Sequence, residues 1–219
     1  SLISKKLRKT KGARKRIARS TQSLAGFSLL LGLRPDESAT PINHHTILFP
    51  EDYDAEFDSI FTTRTPVKNP TIYLCAPLDE SMVKESGAQS VFVLVNAPVH
   101  DATGATGWNW NDENFNRDYA NSIIDQIQAR GISIRDRLDV MEIRTPADLE
   151  ASVFAPGGSI YGTSSNGARA AFMRAKNRSP IKGLYLVGGS AHPGGGLPLV
   201  GISGDLVTEA IGYEKNARH

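Results

Sequence analysis

Cysteine is nearly missing from these 219 residues: Cys75 is the only one. That excludes an internal disulfide and any multi-cysteine metal cluster within one chain. Cys75 ends the apolar run 71–75, where a small buried thiol without chemistry is the expectation. No stretch reaches the roughly 18 apolar residues that a membrane-spanning helix needs. The basic start is not followed by an apolar stretch and cleavage site of the signal-peptide kind, so the expected compartment is the cytoplasm. The dinucleotide fingerprint Gly-x-Gly-x-x-Gly is absent too, and with it the motif that seats a pyrophosphate on a helix N-terminus. Acidic residues are missing from the first 35 positions, which hold ten of the 25 Lys and Arg residues.

That basic block suits a solvated arm or helix over residues 1–23, with attraction to an anionic membrane surface as the next reading. Its apolar residues Leu2, Ile3, Leu7, Ile17 and Ala18 are too sparse for an amphipathic face. No aromatics are interleaved for base stacking, so nucleic acid is not an expected partner. The chain starts on Ser1 inside this charged block, which reads as a piece of something longer.

What is present fits a soluble globular protein: 40% hydrophobic and 22% charged residues. Short apolar runs bounded by Pro, Gly or Asp predict strands over 27–33, 44–49, 71–75, 91–95 and 138–143. The runs at 71–75 and 91–95 are continuous enough to predict central strands covered on both faces. Helices are predicted over 52–61, with Tyr53, Phe57, Ile60 and Phe61 facing a sheet, and over 112–130, capped by Asn111 or Asp112 and ended by Gly131. Thr145-Pro146 starts another. Strands alternate with helices but also run consecutively, which gives an α/β class with some α+β character and a mixed sheet. His44 and His45 invite a metal, yet neighbours on a strand point to opposite faces, so no metal site is expected. Trp108 and Trp110 either line an apolar pocket or anchor a surface loop by one indole.

The chemistry is concentrated in residues 183–212. Leu184-Tyr185-Leu186-Val187 has the length of a buried strand. Gly188-Gly189-Ser190-Ala191-His192-Pro193-Gly194-Gly195-Gly196 then lets backbone come close to a ligand. Pro198-Leu199-Val200 opens an amphipathic helix to Ile211. A strand, a glycine-rich turn and a helix N-terminus together offer free N–H groups to something electron-rich, a phosphate or the pyrimidine edge of a flavin. A structural turn has the same spacing. His192 is the one titratable group inside the turn, and Asp205 in the helix reads as solvated.

The wording of the turn is more specific than its physics. Gly188, Gly189, His192, Pro193, Gly194, Gly196 and Pro198 match the C-terminal flavin-contacting segment of the phytoene desaturase family, FAD-dependent carotenoid dehydrogenases akin to the amine oxidase flavoproteins. The segment Gly158-Ser159-Ile160-Tyr161-Gly162 and the tripeptide Asn177-Arg178-Ser179 resemble further family pieces, and the resemblance runs from about residue 24 to 212. It implies a substrate-domain portion over 24–182 and an FAD-contacting strand, turn and helix over 183–219. It implies FAD as cofactor and an apolar polyene as substrate, a hydride passing to the flavin and a proton leaving the neighbouring carbon. Gly188 and Gly189 would allow close approach, and the N–H groups of Leu199 and Val200 would face the reduced flavin's N1/O2 edge. His192 would act as acid or base, or hold the turn through its backbone. With no nucleotide motif, this chain alone is expected to bind FAD weakly and to be inactive. Another flavoenzyme of the superfamily, acting on an amine or a retinoid-like alkene, and a non-enzymatic basic-armed binding module are the alternatives. Oligomeric state is not legible.

Overall fold

A computed structural model describes residues 12, 15, 21–40, 42–83, 85–164 and 174–216. Most of the basic arm, and residues 165–173 of the small polar loop, lie outside the described residues. The chain divides into two compact units, one over Leu24–Ser159 and one combining Ser1–Ser23 with Ile160–His219.

The first unit is a five-stranded sheet with one long helix. Its strands are β1 (Ala25–Leu33), β2 (His45–Leu48), β3 (Ile72–Cys75), β4 (Gln89–Ala97) and β5 (Leu138–Arg144), in the order β2-β3-β4-β1-β5. Every pairing is antiparallel, so the expected mixed sheet is corrected to a purely antiparallel one within an α+β unit. All five predicted strands form, because each is a short β-branched or Leu-rich run closed by turn residues.

Coverage of the sheet differs from expectation. Phe27, Leu29, Leu31 and Leu33 alternate into the core with Val91, Val93 and Val95. Against them packs α2 (Glu113–Ala129), through Tyr119, Ala120, Ile123, Ile124 and Ile127. The opposite face stays open: Leu30 is 42% and Phe92 37% exposed, joined by Ile47 and Val140. In an antiparallel sheet one face can go without a helical layer. An apolar residue on that face is indistinguishable in sequence from one on a covered face.

Asp112 caps α2, its carboxylate accepting from the amides of Asn114 and Phe115 at 3.0 Å each. Gly131 ends it in a left-handed conformation. Thr145 and Asp148 make the reciprocal capping box of α3 (Pro146–Val153). The predicted helix over 52–61 forms, as one turn of α-helix, α1 (Asp54–Phe57), widening into a π-helical turn over Asp58–Thr63. Its buried residues are Glu56 and Ile60 rather than the aromatics. Tyr53 and Phe57 pack edge-on against each other, with centroids 5.2 Å apart. Glu56 is buried because its carboxylate accepts two hydrogen bonds at 2.7 Å, from the amide of Thr71 and the side-chain amide of Asn96.

The two tryptophans divide the roles. Trp110 anchors the loop, buried against Phe27 at 5.4 Å and donating from Nε1 to Pro98 O. Trp108 instead lines a groove of about 500 Å³ with Arg64, Asn109 and Phe115. Its buried Nε1 has no partner among the described residues. The histidine pair departs further from expectation. β2 starts at His45, so His44 lies just outside the strand and escapes its alternation. The two rings lie against each other, centroids 4.3 Å apart and planes tilted by 30°. None of the described helices is long and apolar enough to cross a membrane.

Candidate cofactor-binding turn

In the second unit the glycine segment is built as expected at its end but not at its start. Residues 184–187 make no strand. Tyr185 forms a single bridge with Arg178, Leu186 N donates to Asn177 O at 2.8 Å, and Val187 is 61% exposed. Among the described residues no neighbouring strand completes a ladder, and an isolated two-stranded pairing is marginal in water. The helix α4 (Leu197–Asn216) does form, with Pro198 in its first turn, where a missing N–H is harmless.

Asn177 holds the turn together. Its Nδ2 lies 3.0 Å from Leu186 O, 2.9 Å from His192 O and 2.9 Å from Ser203 Oγ. Two protons serve three acceptors, so the amide is fully spent. Ser203, buried on α4, also accepts from Gly188 N at 3.2 Å. One side chain from each of two elements therefore ties the start and middle of the turn to the helix. His192 N donates to Ala175 O at 2.9 Å. The backbone of His192 thus has both groups engaged while its side chain is exposed.

A second set of contacts shapes the inner wall. Arg174 Nη1 donates to Tyr161 O at 3.2 Å and to Gly189 O at 2.9 Å. The Tyr161 ring lies flat against the turn, so that a Cβ on Gly195 would fall inside the ring's envelope and one on Gly189 would sit 3.2 Å from it. Gly188 and Gly196 differ. Both have positive φ, 111° and 94°, and a Cβ on either would meet nothing within 4 Å. Their backbones edge open space beside the N-terminus of α4. Of the two predicted close-approach glycines, then, Gly188 faces outward and Gly189 faces Tyr161.

The helix start also sorts the predicted N–H donors. Val200 N donates to Gly196 O at 2.9 Å, closing the first helical bond. Its N–H is committed, which corrects the expectation that it faces a ligand. Leu199 N has no partner among the described residues and remains, with the positive end of the helix dipole, the available donor. Pro193 and Gly194 are partly or fully buried, with Gly194 packed on Arg174 and Leu199; they shape the turn. Asp205 is exposed, as the sequence implies.

Residue-by-residue reading gave no role to Asn177, Ser203, Arg174 or Tyr161. Ser203 carried one signal, a small polar residue on the stripe Val200, Val207 and Ala210, which is the inward face of α4.

No family profile matches the chain. It is 34% identical over 178 residues to a 1-hydroxycarotenoid 3,4-desaturase of Flavobacterium sp. (strain P99-3), covering 80% of this chain and 35% of that protein. It is 32% identical over 205 residues to a hydroxyneurosporene desaturase of Rubrivivax gelatinosus, covering 89% and 36%. A 4,4'-diapolycopene oxygenase of Methylomonas sp is 28% identical over 215 residues, covering 95% and 41%. These relatives are all oxidoreductases. The chain belongs to the phytoene desaturase family of carotenoid-modifying enzymes. It spans between one third and about two fifths of the length of the curated relatives it matches.

Proposed function

We propose that this chain is the C-terminal part of an FAD-dependent carotenoid desaturase, in which the turn over residues 188–200 seats the flavin. One observation carries the reading. The backbone at Gly188 and Gly196 opens onto free space next to an available helix N-terminal N–H at Leu199. This is a cradle for a flat, electron-rich ring edge, and it occurs in a chain whose relatives are named carotenoid desaturases. The donor set fits the electron-rich edge of a flavin: main-chain groups and the positive end of a helix dipole.

A flavin held there would supply the two-electron oxidation, as acceptor for a hydride from one carbon of a saturated C–C unit while a proton leaves its neighbour. The chain's residues provide position and electrostatics. Gly188 and Gly196 admit the ring edge, and Leu199 N–H stabilises negative charge there. Asn177, Ser203, Arg174 and Tyr161 hold the turn rigid, with Gly189, Pro193, Gly194 and Pro198 fixing its path. His192 presents an exposed imidazole and is the candidate proton carrier on this side. Independently, the open apolar face of Leu30, Ile47, Phe92 and Val140 suits an apolar polyene. The basic arm suits an anionic membrane surface, where such a substrate dissolves.

The test uses the full-length protein with FAD and, in vesicles, a polyene that retains saturated C–C units between its double bonds. The expected product is lighter by two hydrogens, with flavin reduction in step. Flavin-loaded protein that leaves every polyene unchanged would sink the reading. His192→Ala should lower kcat about 10²-fold if it carries the proton, and leave kcat within about threefold if its backbone is what matters. The likeness to the oxygenase gives a second reading, separated by the same assay: its product gains oxygen.

A further inference from the structure

His45, the first residue of β2, stands directly opposite Cys75, the last of β3. Opposed residues of an antiparallel pair share a face, with Cβ atoms about 4.5–5.5 Å apart, so register alone brings imidazole and thiol together. His44 lies one step beyond the strand. Its carbonyl accepts from Ala76 N at 2.9 Å, and its ring folds back onto that of His45. One ligand atom from each of His44, His45 and Cys75 lies within 4.8 Å of the others. Tyr73, two residues before Cys75 on the same face, places its hydroxyl 2.8 Å from His45 Nδ1. Such a hydrogen bond on one ring nitrogen orients an imidazole and leaves Nε2 to ligate.

We propose that His44, His45 and Cys75 bind Zn²⁺, with a fourth position open to water. Two nitrogens and a thiolate are a zinc donor set, and three protein ligands plus solvent is the open zinc arrangement. Among the described residues no carboxylate shares the cluster, which disfavours calcium and magnesium. With Zn–N near 2.0–2.1 Å and Zn–S near 2.3 Å, ligand atoms in a tetrahedral site stand about 3.3–3.6 Å apart. A separation at the 4.8 Å limit would have to close by about 1.2–1.5 Å. Both histidines are exposed, so small side-chain torsion changes within their present wells supply that movement without shifting the strands. The ion would cross-link the edge strand β2, only four residues long, to β3. The site is independent of the flavin reading.

The experiment is a titration of the full chain, stripped by a chelator, with Co²⁺ as a spectroscopic stand-in and then Zn²⁺. Because the chain has one cysteine, a thiolate-to-cobalt charge-transfer band reports on this site alone. One equivalent of Co²⁺ should produce that band together with visible bands of tetrahedral intensity, and Zn²⁺ should bleach both. Cys75→Ser should abolish the charge-transfer band. His44→Ala and His45→Ala should each weaken binding at least tenfold, with unchanged circular dichroism. Tyr73→Phe should weaken it about 10–100-fold, as removal of an orienting partner does. No charge-transfer band at saturating Co²⁺, or one that persists in Cys75→Ser, overturns the proposal. So does an affinity that the double histidine variant leaves unchanged.

Discussion

Replacing Asn177 with alanine removes an amide that touches Leu186 O, His192 O and Ser203 Oγ at 2.9–3.0 Å. Its two protons can make two full hydrogen bonds, each worth a net of about 0.5–1.5 kcal/mol. Ser203, buried, keeps its contact with Gly188 N but loses the other. The turn should therefore detach from α4 about 1–3 kcal/mol more easily, which raises the detached population roughly 5- to 150-fold. Amide hydrogen exchange followed by mass spectrometry reads this directly, at Gly188 and across the peptide that includes Val200. Asn177→Asp sharpens the test. A carboxylate of the same shape cannot donate, and it meets the carbonyls of Leu186 and His192 with like partial charge. It should be at least as disruptive as alanine at neutral pH, despite being smaller in change. Facing two carbonyls raises its folded pKa above the unfolded value near 3.9, so its deficit relative to alanine shrinks as pH falls through the folded value. Exchange within threefold of wild type in both variants would refute the view that Asn177 locks the turn.

Gly195→Ala should destabilise the second unit by about 1–3 kcal/mol, because its Cβ falls inside the Tyr161 ring; thermal melts should show the loss largely restored in the double variant with Tyr161→Ala. Glu56→Ala strands two part-buried donors, Thr71 N and Asn96 Nδ2, and should cost about 2–4 kcal/mol in urea unfolding. Glu56→Gln should cost clearly less, because the Asn96 amide can turn its oxygen to meet the new NH₂; equal losses would refute that account. Asp101 is held below the usual carboxylate range by hydrogen bonds from the side chains of Thr106 and Thr103, followed by their amides. Its folded pKa is depressed, so its contribution is complete above about pH 4–5 and is lost as pH falls toward the folded value. Proteolysis of the loop over residues 101–107 should quicken in that acid window, and Asp101→Asn should remove the pH dependence.

Strands were legible in this sequence because length and turn residues suffice to find them, and α2 because its apolar period and Asp112 cap agree. The faces were not. Leu30 and Phe92 on the open side are as apolar as Leu29 and Val93 on the covered side, and only the position of α2 tells them apart. The reading of residues 184–187 failed for the same kind of reason, since a strand is completed by a partner and the run itself says nothing of one. His44 and His45 show the limit of alternation at a strand end, where one residue outside β2 is enough to free a ring to fold back. Asn177 was visible as part of a familiar tripeptide, but its role rests on contacts 9, 15 and 26 residues away, which no local pattern encodes.

The glycine turn shows why a match in wording needs the structure to become chemistry. Its glycines look equivalent in sequence, yet they answer to different neighbours. Gly195 and Gly189 are small because Tyr161 lies against them, and Gly194 because Arg174 and Leu199 do. Gly188 and Gly196 have no neighbour to accommodate among the described residues, only a positive φ and open space. A side chain at the first group disturbs packing, and so stability, with or without a ligand. A side chain at the second group adds the cost of the left-handed backbone, but its bulk projects where a flavin edge would lie. Ligand access and folding can therefore be separated within nine consecutive residues, and a ligand at this turn would be felt at the positions where no described residue stands beside the glycine.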